Sequence, residues 1–285
     1  MGADLEGIRA LQLRSLGLLE AIDKVCRSHN LTYYMAYGTL LGAIRHKGFI
    51  PWDDDIDVAM PRRDYDILLS NASEWLDYPY TLITYSSNPY YSRYFAKLED
   101  RSTTVVERFH MGRVGGLYLD IFPLDNVPDN AFIRFVQYRR FHRLNKLLYY
   151  AYRDPYKHGH GLGSLFWSSF QKMLSRDRLH ERIQRVVSRY KDRTDCHLYS
   201  THDDGLKVFP INIMGIPVEY EFEGHRFWGP ADYDSFLKIM YGPDYMLPPP
   251  PELRITHGFE YVDFNSGYEE ADFEELKRKH AESVK

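Results

Sequence analysis

The sequence holds few cysteines and no long apolar run. Two of its 285 residues are cysteine, Cys26 and Cys196, which excludes a disulfide-stapled scaffold and a cysteine-rich zinc fold and is typical of a reducing compartment. No apolar run approaches the roughly 18 residues that a membrane-spanning helix needs. The first residues lack a basic-then-apolar signal, and Glu6 stands where N-myristoylation needs Ser or Thr. We therefore expect a cytoplasmic protein.

The chain also has little net charge, although that charge is unevenly distributed. Its 36 Lys and Arg against 40 Asp and Glu give a formal charge of −4, which argues against a nucleic-acid partner. Residues 131–195 carry 15 basic and 5 acidic side chains (net +10), so the remainder carries 21 against 35 (net −14). This basic, aromatic-rich region is a solvated face, a groove for an anionic polymer or a contact with anionic lipid. We favour one of the last two, with peripheral contact at the inner face of the cell membrane.

Hydrophobic periodicity predicts an α/β (α+β) chain without internal repeats. Apolar residues at helical spacing predict a helix over 4–29, and strands are expected at 32–37 and 55–60. A short helix over 40–45, opened by Thr39, lies between those strands. Further strands are expected at 80–85, 91–98, 103–107 and 117–122, further helices at 61–76, 129–153, 164–193 and 230–240, and a hairpin at 218–228. The irregular segment 154–161 contains His158 and His160, which we do not expect to bind a metal.

Four aspartates stand close together at the start of the second predicted strand and in the loop before it: Asp53, Asp54, Asp55 and Asp57. Such a run is self-repelling unless something compensates it. On a strand, Asp55 and Asp57 project from one face, and two carboxylates at that spacing suit a hard cation such as Mg²⁺ or Mn²⁺. Asp53 shares their parity, whereas Asp54 is expected to point away. A solvated acidic turn is the alternative, and a calcium loop is disfavoured because no Glu-terminated loop of the EF-hand type follows.

The residues before this run suggest a phosphate pocket. Gly38 lets the backbone approach a ligand closely, and the amides of Thr39 and Leu40, at a helix start, would face an anion. Arg45, His46, Lys47 and Lys97 are candidate phosphate neutralisers. The first three are alternatively a solvated helix end, and Lys97 is alternatively a strand-edge lysine. A phosphate pocket followed by an Asp pair is what phosphoryl or nucleotidyl transfer requires.

A third acid is expected from Asp120, which follows apolar residues at the end of a predicted strand. If that strand neighbours the strand of Asp55 and Asp57, three carboxylates meet. Asp120 would then share the metal or accept the proton of an attacking hydroxyl. The candidate catalytic and metal-binding residues are therefore Asp55, Asp57 and Asp120, and the candidate substrate-binding residues are Gly38, Thr39, Arg45, His46, Lys47, Asp53 and Lys97.

The run from Tyr37 to Asp57 resembles the signature of LicD-type phosphotransferases, which are relatives of fukutin and fukutin-related protein within the nucleotidyltransferase fold. Further matches are the segments 95–98 and 119–123 and the pair Tyr241 and Gly242 with the prolines that follow. Together the resemblance covers about residues 30–125 and 217–257.

The resemblance implies a nucleotidyltransferase-like core with a mixed β-sheet flanked by helices, plus a helical accessory region. We expect the catalytic core at 1–128, the basic helical accessory region at 129–195, and a C-terminal β-hairpin and helices at 196–285 that complete the core. Asp55 and Asp57 match the family's metal-binding pair, and Asp120 matches its third acid. The absence of a cysteine cluster and of a membrane anchor separates the chain from fukutin-related protein and favours the bacterial branch.

The implied reaction is metal-dependent transfer of phosphocholine from CDP-choline to a hydroxyl of a cell-surface glycan precursor of the teichoic acid type, with CMP leaving. The expected partners are CDP-choline and an anionic glycan or lipid-linked precursor. Alternatives are transfer of another CDP-activated phosphoalcohol, an Asp-x-Asp glycosyltransferase, and a glycan-binding module without chemistry. A choline headgroup needs an aromatic cage, for which the candidates are Tyr33, Tyr34, Tyr37, Tyr85, Tyr90, Tyr91 and Tyr94.

Overall fold

A curled mixed β-sheet flanked by helices organises the computed structural model of this chain. The structure describes residues 5–156, 161–203, 205–254, 256 and 258–283. His158 and His160 lie outside the described residues. The expected mixed α/β fold is confirmed, whereas the division into three segments stays a prediction.

The strands are β1 (Tyr34–Met35), β2 (Asp57–Pro61), β3 (Tyr80–Ile83), β4 (Ala96–Val106), β5 (Gly115–Val127), β6 (Leu198–Ser200), β7 (Phe209–Pro210), β8 (Val218–Phe222), β9 (His225–Gly229) and β10 (Tyr261–Asp263). The helices are α1 (Leu5–Ser28), α2 (Tyr37–His46), α3 (Arg62–Trp75), α4 (Ala131–Tyr152), α5 (Leu162–Lys172), α6 (Arg176–Val187), α7 (Ile211–Met214), α8 (Tyr233–Tyr241) and α9 (Phe273–Ser283). Within the described ranges, no helix is long and apolar enough to cross a bilayer.

The sheet runs in the order β1-β2-β5-β4-β10, and β3, β6 and β7 extend it at the sides. β2 and β5 are parallel, and the other pairings are antiparallel. β8 and β9 form a separate hairpin, as the sequence predicts. The parallel pair lies inside the sheet, where both neighbours hold its register. This central pair carries the residues of the candidate site.

Helix α1 covers the sheet with the apolar face that its sequence spacing predicts. Leu18 and Ile22 are fully buried, and Ile8, Leu11 and Val25 are nearly so. All of these except Ile8 join one continuous hydrophobic core with apolar residues of β2, β4 and β5. Burial of each such side chain stabilises the fold by about 1.5–3 kcal/mol.

Several predicted boundaries are wrong. The predicted strands at 91–98 and 103–107 overlap one long strand, β4, which begins only at Ala96 and whose register with β5 shifts between Asp100 and Val105. The predicted helix over 164–193 is divided into α5 and α6, because Ser175 accepts a hydrogen bond from the Arg178 amide and caps the second helix. The strand expected from residue 55 begins at Asp57.

A buried ion pair joins the start of α3 to the central strand β5. Arg62 Nε and Nη2 donate to the two carboxylate oxygens of Asp125 at 2.7 and 2.8 Å. The Asp125 side chain is completely buried and that of Arg62 is 7% exposed. A buried guanidinium that loses its partner keeps its desolvation cost, so this pair locks α3 onto the sheet.

Asp125→Asn should lower the free energy of unfolding by about 3–5 kcal/mol, because it removes the buried counter-charge of Arg62 and leaves only the longer contact with the exposed Asp66. Urea denaturation measures the loss. Glu275→Gln, which breaks an exposed pair with Lys279, is the matched control and should leave stability unchanged. Equal effects of the two substitutions would contradict this account.

Candidate functional site

A cavity of about 750 Å³ opens beside the start of β2. Its walls carry seven acids, namely Asp53, Asp55, Asp57, Glu107, Asp120, Asp203 and Asp244. They also carry four bases, namely Arg45, Arg93, Arg108 and Lys207. Seven acids against four bases leave a formal charge of −3, so the cavity electrostatically favours a cation among its ligands.

Strand pairing places two of the predicted acids side by side. Asp57 of β2 is the register partner of Asp120 in the parallel neighbour β5, so the predicted adjacency of their strands is confirmed. Asp120 is in turn the register partner of Lys97 in β4. Register partners on adjacent strands project from the same face of a sheet. Asp57, Asp120 and Lys97 therefore form one row across the centre of the sheet.

The other aspartates lie in an irregular segment before β2. Asp53, Asp54 and Asp55 each offer one oxygen, and these oxygens lie within 4.8 Å of one another. Asp54 is buried, and its Oδ2 accepts a hydrogen bond from the Gly258 amide at 2.7 Å. Asp53 and Asp55 line the cavity together with Asp57. The expectation that Asp55 and Asp57 share a strand face is wrong, because the strand begins only at Asp57.

A buried glutamine of α1 holds this acidic segment in place. Gln12 is 3% exposed, and its Nε2 donates to the carbonyls of Ile50 and Asp53 at 3.1 and 2.9 Å. Sequence reasoning missed Gln12. The signal is a polar residue on the otherwise apolar face of α1.

Gly38 and Thr39 both contact the acidic segment, and Gly38 also lines the cavity. A Cβ at Gly38 would lie 2.4 Å from Asp53 Oδ2, so the close approach that requires glycine is to a carboxylate. Thr39 is buried, and its Oγ1 accepts the Asp57 backbone N–H at 2.8 Å. Helix α2 begins at Tyr37, and the Leu40 amide donates to the Ala36 carbonyl. The predictions that Thr39 opens the helix and that the Leu40 amide faces an anion are therefore wrong.

The residues predicted to neutralise phosphate lie in different places in the structure, and not all of them line the cavity. Arg45 lines the cavity and donates from Nη1 to the Tyr245 carbonyl at 3.0 Å, and burial lowers its pKa. His46 and Lys47 do not belong to the described cavity wall. Lys47 ends α2 in the left-handed region with a φ of 59° and is exposed to solvent. Its carbonyl accepts the Glu223 amide.

Lys97 is an internal counter-ion, and it lies neither at a strand edge nor in the described cavity wall. Its side chain is 1% exposed, and its Nζ lies 3.2 Å from Asp120 Oδ1 and 3.1 Å from Glu107 Oε1. The ammonium also sits over the ring of Tyr118. Burial raises the pKa of Asp120 to about 6, although Lys97 opposes that shift. Burial also acts to raise the pKa of Glu107, but Lys97 and Arg93 outweigh it and lower that pKa to about 2.

Sequence reasoning missed several residues of the cavity wall. Arg93, Arg108 and Lys207 add three cations from segments far apart in the sequence, and no spacing pattern links them to the aspartates. Trp52, Tyr118, Tyr241 and Tyr245 add aromatic surface.

Of the predicted cage tyrosines, Tyr37 is the one that lines the described cavity. Tyr33 and Tyr34 are core residues whose hydroxyls donate to Asp23 and to the Gly215 carbonyl. Tyr91 and Tyr94 are also buried, and Tyr85 stacks on His180. These rings are occupied by packing.

The acidic side chains fit a hard divalent cation. All the donors are carboxylate oxygens, which Mg²⁺ and Mn²⁺ prefer. Asp120 Oδ1 is buried and accepts no hydrogen bond from the described part of the chain, and Lys97 Nζ lies 3.2 Å from it as an ion-pair partner. Asp53, Asp54 and Asp55 form the acidic cluster that could hold such an ion, and Asp57 and Asp120 line the same cavity as Asp53 and Asp55.

The family described as LicD/FKTN/FKRP, nucleotidyltransferase domain, matches residues 30–148. The lipopolysaccharide cholinephosphotransferase LicD of Haemophilus influenzae is 29% identical over 261 residues, which cover 88% of this chain and 95% of that protein. An uncharacterised protein of Rickettsia prowazekii is 38% identical over 60 residues, 21% of this chain and 22% of its own length. One from Rickettsia typhi is 40% identical over 47 residues, 16% of this chain and 15% of its own length.

The matched segment 30–148 contains α2, the acidic segment, β2, β4 and β5, and thus the row of Asp57, Asp120 and Lys97. The similarity to the Haemophilus protein covers 88% of this chain and therefore reaches beyond that segment. Residues 30–148 therefore match the LicD-type nucleotidyltransferase domain, and most of the chain is similar to the Haemophilus LicD protein.

Proposed function

We propose that this chain transfers phosphocholine from CDP-choline to a hydroxyl of a cell-surface glycan, with the help of a divalent cation, and releases CMP. The observation that carries the proposal is the pairing of Asp57 with Asp120 in a cavity that Asp53 and Asp55 also line. The similarity to a cholinephosphotransferase supports the choice of cargo. The cavity's excess of carboxylates agrees with a site that receives both a metal ion and a quaternary ammonium group.

The metal-binding role falls to Asp55 and Asp57, with Asp53 beside them. A bound Mg²⁺ or Mn²⁺ would neutralise the diphosphate of the donor and the charge that develops on the CMP oxygen. Thr39 fixes the backbone of Asp57, and Gln12 fixes that of Asp53. These contacts hold the carboxylates in position before a ligand arrives, so their reorganisation adds little to the barrier.

The cavity's cations hold the donor phosphates. We assign this role to Arg45, Arg93, Arg108 and Lys207, which all line the cavity. His46 and Lys47 are no longer part of the proposal. Lys97 keeps an indirect role, because its ion pairs with Asp120 and Glu107 fix the carboxylate of Asp120.

The proposed reaction is a single displacement at the phosphorus that bears choline. The acceptor hydroxyl oxygen attacks that phosphorus, and the bond from phosphorus to the CMP oxygen breaks. Asp120 accepts the hydroxyl proton or completes the oxygen set around the cation. The trimethylammonium group would lie against the aromatic walls formed by Tyr37, Trp52, Tyr241 and Tyr245.

The proposed acceptor is a hydroxyl of a glycan that belongs to one of two classes. The Haemophilus relative is named for lipopolysaccharide, whereas the sequence resemblance suggested a teichoic-type precursor. Both are glycans built on a lipid or polymer, and both belong in the assay. Because CDP-activated donors are cytoplasmic metabolites, we place the reaction at the inner face of the membrane.

A donor panel tests the reaction class. CDP-choline, other CDP-alcohols and UDP-sugars are incubated with lipopolysaccharide-type and teichoic-type acceptors, and CMP or UDP release is measured. CDP-choline should give CMP, EDTA should abolish turnover, and Asp57→Asn should lower kcat/KM by at least about 100-fold. Glu275→Gln serves as a distant control. Release of UDP from a sugar donor, or CMP release indifferent to EDTA and to Asp57→Asn, would overturn the proposal.

Asp120→Asn separates the two roles of Asp120. If this residue accepts the proton, the variant should lose turnover and still bind Mn²⁺ as the unaltered protein does, because an amide cannot take up a proton at neutral pH. Asp57→Asn should lose both properties. Electron paramagnetic resonance measures the amount of bound Mn²⁺, and the rate of CMP release measures turnover. A loss of Mn²⁺ binding in both variants would instead assign Asp120 to the metal.

Thr39→Val tests the positioning of Asp57. The variant keeps the side-chain shape but leaves the Asp57 N–H without its acceptor, which should cost about 1–3 kcal/mol of stability. It should also lower kcat. Thr39→Ser, which keeps the hydroxyl, is the matched control and should retain most of both properties. Equal behaviour of Val and Ser in urea denaturation and in turnover would refute the positioning role.

A further inference from the structure

Helix α4 presents an outward stripe that no other described element covers. Its buried residues are Gln137, Phe141, Leu148, Ala151 and Tyr152, which face the protein. On the opposite side, at spacings of three and four residues, lie Phe132, Phe135 and Val136, which are 75%, 46% and 42% exposed. Leaving two phenylalanines and a valine together in water is unfavourable for an isolated helix face.

The same stripe continues with positive charge. Arg139, Arg143 and Lys146 follow the apolar residues at helical spacing and are exposed, as is the adjacent Arg140. Helix α4 contains no Asp or Glu. Within the described residues, none of these four cations forms an ion pair. Their charges therefore point uncompensated into solvent.

Helix α5 extends this surface. Trp167 stacks on Tyr150 of α4 with ring centroids 4.9 Å apart, and Gln171 Nε2 bonds the carbonyls at the end of α4. Leu165 and Phe166 beside Trp167 are 57% and 64% exposed. Helix α5 also contains no acidic residue. We call the exposed apolar and basic side chains of these two helices the α4–α5 surface.

One side of α4 lies near a segment that reaches the cavity. Arg134 and Tyr138 of α4 line a small depression with Leu206, which is itself exposed. The next residue, Lys207, lines the cavity.

We propose that the α4–α5 surface docks on an anionic lipid bilayer. Clustered Lys and Arg beside Phe, Leu and Trp match the charge of acidic headgroups and the apolar boundary beneath them. A soluble anionic polymer would satisfy the cations but would gain nothing from Phe132, Phe135 and Phe166. A second copy of the chain would bring uncompensated like charges together. The inference does not depend on the proposed reaction, because binding is measured without substrate.

Co-sedimentation of the full chain with vesicles tests the proposal. Vesicles of phosphatidylcholine alone are compared with vesicles that also contain phosphatidylglycerol, across a range of salt concentrations. The chain should bind the anionic vesicles at low salt and release from them as salt rises. Weak binding to the neutral vesicles is expected.

Two variants test the basic and the apolar side chains of the α4–α5 surface separately. The triple variant Arg139→Gln, Arg143→Gln and Lys146→Gln should lower partitioning of the protein onto anionic vesicles roughly 100-fold. Each cation near an anionic surface strengthens this binding about fivefold. The double variant Phe132→Ser and Phe135→Ser should leave residual binding that is more easily reversed by salt. Both alter exposed positions, and thermal melts verify that they fold.

Matched controls come from exposed residues elsewhere on the chain. Lys24→Gln, Arg63→Gln and Arg226→Gln together remove three exposed cations outside α4 and α5, and Ile216→Ser removes an apolar side chain that is 86% exposed. Neither should change vesicle binding. No binding at low salt, equal loss in the control triple, binding to polyphosphate without binding to vesicles, or self-association without lipid would each overturn the proposal.

Discussion

The parallel pairing of β2 with β5 is the constraint on which the candidate site depends. It fixes Asp57 beside Asp120 in register, so two carboxylates stand on one face of the sheet centre. Such a pair is stable only when nearby charges or hydrogen bonds compensate it. The protein supplies that compensation with a buried lysine: Lys97, the next register partner, contacts both Asp120 and Glu107.

Contacts within the protein hold the acidic residues in place without a bound ligand. Thr39 accepts the Asp57 amide, Gln12 ties down the carbonyl of Asp53, and Gly38 leaves room for the Asp53 carboxylate. The run of aspartates, which looks like a self-repelling turn in the sequence, is thus anchored from α1 and α2. Carboxylates held rigidly close together repel one another. A cation bound in the cavity would relieve that repulsion.

The sequence predicted the parts of this picture that depend on local pattern. The helical spacing of α1, the hairpin of β8 and β9, the acidic run before β2 and the separate acid Asp120 could all be identified. It could not predict that β2 begins at Asp57, because the hydrogen bonds that end the irregular segment come from Gln12 and Thr39. Nor could it assign Lys97, whose exposure depends on β4 being an interior strand. Arg93, Arg108 and Lys207 meet only through tertiary folding, so their joint contribution to the cavity leaves no trace in spacing.

The central claim is that the carboxylates of Asp55 and Asp57 hold a divalent cation against the diphosphate of the donor. Crystals grown with Mn²⁺ and CDP-choline, measured at the manganese absorption edge, test it most directly. The account predicts an anomalous peak in the cavity, within bonding distance of oxygens of Asp55 and Asp57 and of the donor diphosphate. A donor bound in the cavity with no manganese at these carboxylates would contradict it.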